Sequence, residues 1–159
     1  MFRLSESRTL RHPASVVWEY LIAFEQVPLW EHGILEVRQL APGPPVVGMG
    51  ISARRVYGGK ATQLHGSITD VDNGRSATMR LQGGPLAEVH ATYAVEPVDA
   101  ASSRVTYSAV GSLVRPLKLL NPILPALGRA ETRKNLASLE RRIDAGIPPR
   151  SAQPTPPAA

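Results

Sequence analysis

Hydrophobic and polar positions change period several times along the chain. In "FRLSESRTLR", Phe2 and Leu4 sit two apart among polar residues, which predicts a first strand. From Pro13 the spacing turns helical: Val16, Val17, Tyr20, Leu21 and Phe24 recur on one face. Pro13 suits a helix start, because its missing N–H would be unpaired there in any residue. Pro28 is expected to open a second short helix that ends at Gly33. From Ile34 to Val114, valine, threonine, isoleucine and tyrosine alternate with polar residues, punctuated by "APGPP", "YGGK", "DNGR", "QGGP" and "VDAAS". Six further strands are predicted near 34–40, 48–57, 61–71, 75–82, 87–96 and 103–113. Tight turns such as "DNG" between successive strands imply an antiparallel meander.

Helical spacing returns after Arg115. "PLKLLNPILPALG" carries Pro116, Pro122 and Pro125 and is expected to be broken or short. "RAETRKNLASLERRIDAG" predicts a longer helix with Leu136, Leu139 and Ile143 on one stripe and Gly146 as its stop. Leu120, Leu124 and Leu127 lie at another angle, so a bend is expected near Pro125–Gly128. The ending "GIPPRSAQPTPPAA" is rich in Pro, Ala and Ser and too poor in apolar surface to offset ordering entropy. Residues 1–146 therefore read as one folded domain, and 147–159 as a disordered Pro/Ala-rich tail.

Composition narrows the function classes. The chain has 159 residues, 43% of them hydrophobic, which suffices for one well-buried core. It contains no cysteine, which excludes disulfides and thiolate chemistry. "MFRLSESRTL" has no apolar core of signal-peptide length, and no run approaches the roughly 20 apolar residues of a membrane span. A cytoplasmic protein without stable membrane insertion is expected. Net charge is +5, but the cations are spread out and aromatics make up only 5%, so stacking platforms for nucleic acid are missing. His12, His32, His65 and His90 lack metal-ligand spacing, "GPPVVGMG" precedes a strand rather than a helix, and no G-x-S-x-G elbow occurs. No metal or cofactor is expected. The chain is expected to be a monomer or dimer.

The stretch "HPASVVWEYLIAFEQVPLWEHG", with "VVGMG" opening a strand, the alternation in "VHATYAVEPVD" and "SRVTYS" in the last strand, resembles the START/Bet v1-like helix-grip superfamily. Within it the chain is similar to the polyketide cyclase/dehydrase and lipid transport branch, over about residues 1–145. The resemblance implies an α+β helix-grip fold: a curved seven-stranded antiparallel sheet gripping a long C-terminal helix, with two short helices closing one end. It further implies that Trp18 anchors the first helix into the sheet and that Trp30 sits near a pocket mouth.

Taking one face of each strand puts Leu35 and Val37, Ile51, Ala53, Arg55 and Tyr57, Leu64, Gly66 and Ile68, Ala77, Met79 and Leu81 inside. It does the same for Val89, Ala91, Tyr93 and Val95, and for Val105, Tyr107, Ala109 and Gly111. Many of these are small, and they face a helix that offers Leu124, Gly128, Thr132 and Asn135. Small residues on a concave sheet are expected to leave an apolar hollow, the usual form of a small-molecule site. The candidate binding residues are Trp30, Leu35, Ile51, Ala53, Arg55, Leu64, Met79, Leu81, Ala91, Tyr93, Tyr107, Leu124, Gly128 and Thr132. Arg55, His32 and Tyr93 are the catalytic candidates. Arg55 either orients an anionic ligand group or, if the register slips, points to solvent. His32, beside Glu31, is either a general base or a solvated turn residue. His65 and His90 fall on the outward face, and no pair of carboxylates is placed in the hollow.

Two functions fit. One is binding of a hydrophobic small molecule, lipid, isoprenoid or polyketide-like, between sheet and helix. The alternative is an enzyme of polyketide cyclase/dehydratase type using the same cavity. An interaction role for Arg129, Arg133, Lys134, Arg141 and Arg142 competes poorly, because Glu131, Glu140 and Asp144 share that helix.

Overall fold

The computed structural model describes residues 1–149. Its elements follow in order: β1 (Phe2–Leu10), α1 (Ala14–Ile22), a 3-10 helix (Phe24–Leu29), and β2 (Ile34–Gln39). Then come β3 (Gly50–Tyr57), β4 (Lys60–Asp72), β5 (Ser76–Gly83), β6 (Leu86–Pro97), β7 (Ser103–Leu113), a second 3-10 helix (Leu117–Leu120) and α2 (Leu124–Asp144). All seven strands join one antiparallel sheet in the order β1-β7-β6-β5-β4-β3-β2. This is the helix-grip arrangement: a curved sheet around a 21-residue helix. Every expected strand is present, with ends within two residues of the sequence reading.

Curvature comes from bulges and glycines. One strand slips against its neighbour at Ile34/Glu36, Ile68/Asp70, Leu81/Gly83 and Leu86/Glu88. Each slip adds an unpaired residue and bends the strand. At Gly66 an added Cβ would lie 1.7 Å from the Arg80 carbonyl oxygen, and at Gly111 2.4 Å from that of Glu88. Only glycine permits that close approach of neighbouring backbones. Gly66 and Gly111 thus pinch the sheet instead of widening the hollow, as the side-chain pattern alone suggested.

Two helical expectations shift. The second short helix starts at Phe24, so Pro28 lies inside it rather than at its start. α2 runs unbroken through Gly128, because Pro125 falls in its first turn where a missing N–H breaks no bond. The interruption falls earlier, between Leu120 and Leu124. Gly146 does follow the helix, with φ +67°.

The tail expected at 147–159 lies outside the described residues from 150 onward. Before that point, the Tyr20 hydroxyl donates to the Ile147 carbonyl at 2.6 Å.

The solid part of the core sits where α1 and the second half of α2 meet β1, β6 and β7. Leu10, Val17, Leu21, Val105, Leu136 and Leu139 are fully buried there, and Trp18 is buried with them. Two ion pairs, Arg133–Glu6 and Arg8–Glu140, and a hydrogen bond between His12 and Asp144 fasten α2 along the edge of the sheet. Among the described residues no helix is long and apolar enough to cross a membrane.

Candidate functional site

A cavity of about 300 Å³ lies between the concave sheet and the first half of α2. Its wall is mainly aliphatic and aromatic: Phe2 and Leu4 from β1, Phe24 and Val27 from the 3-10 helix, and Ile51, Leu64, Met79, Leu81, Leu86 and Val89 from the strands. Ala53, Ala91 and Ala109 supply the room, with Ala91 and Ala109 directly paired across β6 and β7. Leu124, Leu127, Gly128 and Thr132 close the helix side. At Gly128 an added Cβ would stand 2.9 Å from Leu4 Cδ2, so glycine lets α2 approach β1 at the cavity edge.

One polar cluster interrupts this wall. The segment "WEHG", residues 30–33, builds it. The N–H groups of Trp30 and Glu31 both donate to the Val27 carbonyl, at 3.1 and 2.8 Å, which turns the chain back toward the sheet. Trp30 is buried with its ring edge-on to Tyr93, centroids 5.9 Å apart. The His32 backbone N–H donates to Asn135 Oδ1 at 3.0 Å, tying the segment to α2. Gly33 has φ +91°, and a Cβ there would meet Glu131 Oε1 at 3.0 Å. A side chain at 33 would be strained and would crowd that carboxylate.

Glu31 is thereby buried in the cavity wall. The Tyr93 hydroxyl donates to its Oε2 at 2.5 Å, and Arg55 Nη1 reaches its Oε1 at 3.5 Å. Arg55 Nη2 donates to Glu131 Oε1 at 3.1 Å, and the guanidinium lies 5.6 Å from the centre of the Tyr57 ring. One arginine therefore bridges two carboxylates at the hollow, which makes its partial burial tolerable. The Tyr57 and Tyr107 hydroxyls lie outside these bonds while their side chains line the same cavity.

Burial dominates the electrostatics. It raises the Glu31 carboxyl above its ordinary value of 4.5, against the opposing pull of Arg55 and the Tyr93 hydrogen bond. Burial also opposes the charge on Arg55, but Glu31, Tyr57, Tyr107 and Glu131 outweigh it, so the guanidinium stays charged. Desolvation first, then the Glu31 charge, pushes Tyr93 and Tyr107 upward, so both hydroxyls remain donors. The site can hold a buried acid that releases its proton later than a free one, beside a fixed cation and neutral phenols.

Of the sequence-predicted residues, Ile51, Ala53, Arg55, Leu64, Met79, Leu81, Ala91, Tyr93, Tyr107, Leu124, Gly128 and Thr132 all line this cavity. Three do not. Leu35 is half exposed: the bulge at Ile34/Glu36 turns it outward and brings Ile34 to the wall instead. Trp30 stands behind Tyr93 as packing, not at the mouth. His32 points its ring to solvent while its backbone does the binding to α2. His65 and His90 lie on the exposed face as expected. The sequence reading also missed the carboxylates. Glu31 and Glu131 meet at Arg55 although they are a hundred residues apart, a pairing no local pattern carries. The nearest signal was an acidic residue wedged between Trp30 and Gly33.

A family model described as polyketide cyclase/dehydrase and lipid transport matches residues 1–144. Among solved structures, a START superfamily protein from Mycobacterium smegmatis is similar at a TM-score of 0.77 and 17% identity, over 92% of this chain and 100% of that one. The Zhui aromatase/cyclase from Streptomyces sp. R1128 gives 0.76 and 15%, over 92% and 98%. The di-domain aromatase/cyclase BexL of the BE-7585A biosynthetic pathway gives 0.71 and 18%, over 93% of this chain and 48% of that one. At these identities the likeness is one of fold. No curated protein matches the sequence.

Proposed function

The chain belongs to the polyketide cyclase/dehydrase and lipid transport family, and from that premise we propose that it binds a hydrophobic small molecule in the cavity between sheet and α2. The cargo is a lipid, isoprenoid or polyketide-like compound with one oxygenated group turned toward Arg55, Tyr93 and Tyr107. The observation that carries this reading is the wall itself: about 300 Å³ of apolar space with one polar cluster at its side. Ligand sites of roughly 300–1,000 Å³ are built this way, with apolar lining and a few placed polar groups that orient the occupant. A cytoplasmic protein that carries such a compound, rather than transforming it, needs nothing more.

The test is native mass spectrometry of the protein purified from its own host, beside an Ala109→Phe variant. Ala109 faces Ala91 in the hollow, so a phenyl ring there occupies the ligand's space. A co-purified apolar compound in the wild type and none in the folded variant supports the proposal. A wild type that carries nothing and does not enhance anilinonaphthalene sulfonate fluorescence removes it.

The second reading, a cyclase/dehydratase-type enzyme, is favoured by Glu31. A buried carboxyl with a raised pKa beside a fixed cation and a phenol can move a proton on an enolisable chain, while Arg55 stabilises the enolate. Glu31→Gln distinguishes the two: a carrier keeps its ligand, whereas an enzyme keeps the ligand but loses turnover of a poly-β-keto analogue by about a hundredfold or more.

A further inference from the structure

The cavity opens at one end of the molecule, and that end has an unusual surface. Leu127 lines the cavity and is nevertheless 68% exposed, so it marks the mouth. Around it, Leu119 is 84% exposed, Ile123 57% and Leu120 47%. Four large aliphatic side chains thus stand in water within nine residues, on the second 3-10 helix, the link after it and the first turn of α2. Scattered exposed leucines need no explanation, but a contiguous group beside a pocket mouth does.

The unpaired charges flanking this group are cationic. Arg115, Lys118 and Arg129 flank the aliphatic group, and no acidic residue occurs from Val114 to Ala130. Glu131, one residue beyond, is paired with Arg55. The same end of the sheet adds Arg3 at the start of β1 and Lys60 in the β3–β4 turn. The β5–β6 turn there, Gly83–Leu86, carries no charge. All five cations are exposed, and none takes part in an ion pair among the described residues. The far end differs: there Asp70, Asp72, Glu96, Asp99 and Asp144 are mixed with Arg11, Arg75, Arg104, Arg141 and Arg142 at the other turns and at the end of α2.

We propose that the mouth end docks peripherally on an anionic lipid bilayer, with Leu119, Leu120, Ile123 and Leu127 entering the headgroup–acyl boundary and the surrounding cations meeting lipid phosphates. A cationic rim around exposed aliphatic residues matches that boundary, which rewards buried apolar area and positive charge together. An acidic protein partner would answer the cations but leave four aliphatic side chains to be covered by a charged surface. The far end, where acids and arginines are mixed, offers no such cationic rim around aliphatic side chains, so the mouth end is the one that meets a negative membrane. Docked this way, the mouth faces the bilayer, and an apolar cargo passes between membrane and cavity without crossing water. The surface would serve any apolar cargo and stands apart from which ligand the cavity takes.

The test is co-sedimentation of the full chain with vesicles of phosphatidylcholine alone and of equal parts phosphatidylcholine and phosphatidylglycerol. The expected result is partition to the anionic vesicles at least about tenfold stronger than to neutral ones, weakening as salt rises. Leu119→Glu with Ile123→Glu, and separately Lys118→Glu with Arg129→Glu, should each weaken partition about tenfold or more. Arg11→Glu with Arg75→Glu makes the same change in net charge at the far end and should leave partition within about twofold. Circular dichroism confirms that each variant is folded. The cavity-filled Ala109→Phe variant should still sediment with the vesicles, which separates loss of docking from loss of ligand. The proposal fails if the wild type does not partition, or if the far-end variant loses as much as the mouth-end ones. It also fails if Leu119→Glu with Ile123→Glu abolishes self-association in sedimentation velocity but leaves vesicle binding intact, because the face is then a contact between copies.

Discussion

The two halves of α2 face one sheet but meet different walls. From Leu136 onward the helix presents Leu136, Leu139 and Ile143, which lock against fully buried Leu10, Val17, Leu21 and Val105. Before Leu136 the same side presents Leu124, Gly128, Glu131 and Thr132, and the sheet opposite offers Ala53, Ala91 and Ala109. The packed half fixes the angle at which the helix crosses the sheet. The hollow half inherits that spacing with smaller side chains, so space remains that neither wall can close by shifting. A cavity beside a solid core is stable for this reason: the stability is generated elsewhere along the same helix.

Substitutions in the two halves should therefore behave in opposite ways. Leu139 has no exposed surface. Leu139→Ala should lower stability by about 2–5 kcal/mol, because the removed methyl groups leave a void that close-packed neighbours cannot fill. Ala109→Phe adds far more volume, yet it enters existing space and should change stability by less than about 1.5 kcal/mol. Urea denaturation of both variants measures the contrast. If Ala109→Phe is as damaging as Leu139→Ala, the hollow half is packed after all.

The polar cluster gives the next effect. The folded protein holds the Glu31 proton above its ordinary value of 4.5. The folded state then binds a proton that the unfolded state releases, so this contribution to stability is complete below 4.5. It is lost as pH rises through the folded value. Glu31→Gln, which keeps the shape and removes the titration, should flatten that decline. The wild-type minus variant difference in unfolding free energy should fall by at most about 1.4 kcal/mol per pH unit in that window. A difference that stays constant, or rises with pH, would mean that Arg55 and Tyr93 outweigh burial and hold the carboxylate charged.

The same comparison explains how much was legible in the sequence. Strands and their order follow from alternation and turn residues, which act locally, so β1 to β7 are readable with their ends. The packed half of α2 is equally plain, because Leu136, Leu139 and Ile143 repeat at helical spacing. Much of the cavity wall could be read because Ala53, Ala91 and Tyr93 keep strict alternation. Leu35 could not, since one extra residue in β2 reverses every side chain before it. Nor could Gly66 and Gly111, whose smallness serves the approach of neighbouring strands. The Glu31–Arg55–Glu131 bridge depends on three elements meeting in space and leaves no periodic trace.

The smallest effect tests whether anything besides packing holds α2 in place. Arg8 Nε donates to Glu140 Oε2 at 2.9 Å, joining β1 to the packed half of the helix across largely solvated side chains. Exposed pairs of this kind are worth about 0.2–1 kcal/mol, since solvent screens the attraction and two long side chains must be ordered. Arg8→Ala should therefore move the urea midpoint only slightly, and less at high salt than at low. In a double-mutant cycle with Glu140→Ala, the coupling should stay within that range. A coupling above about 2 kcal/mol would show that the helix is pinned by its charges as well as by Leu136, Leu139 and Ile143, and the division between a supporting half and a hollow half would have to include the surface.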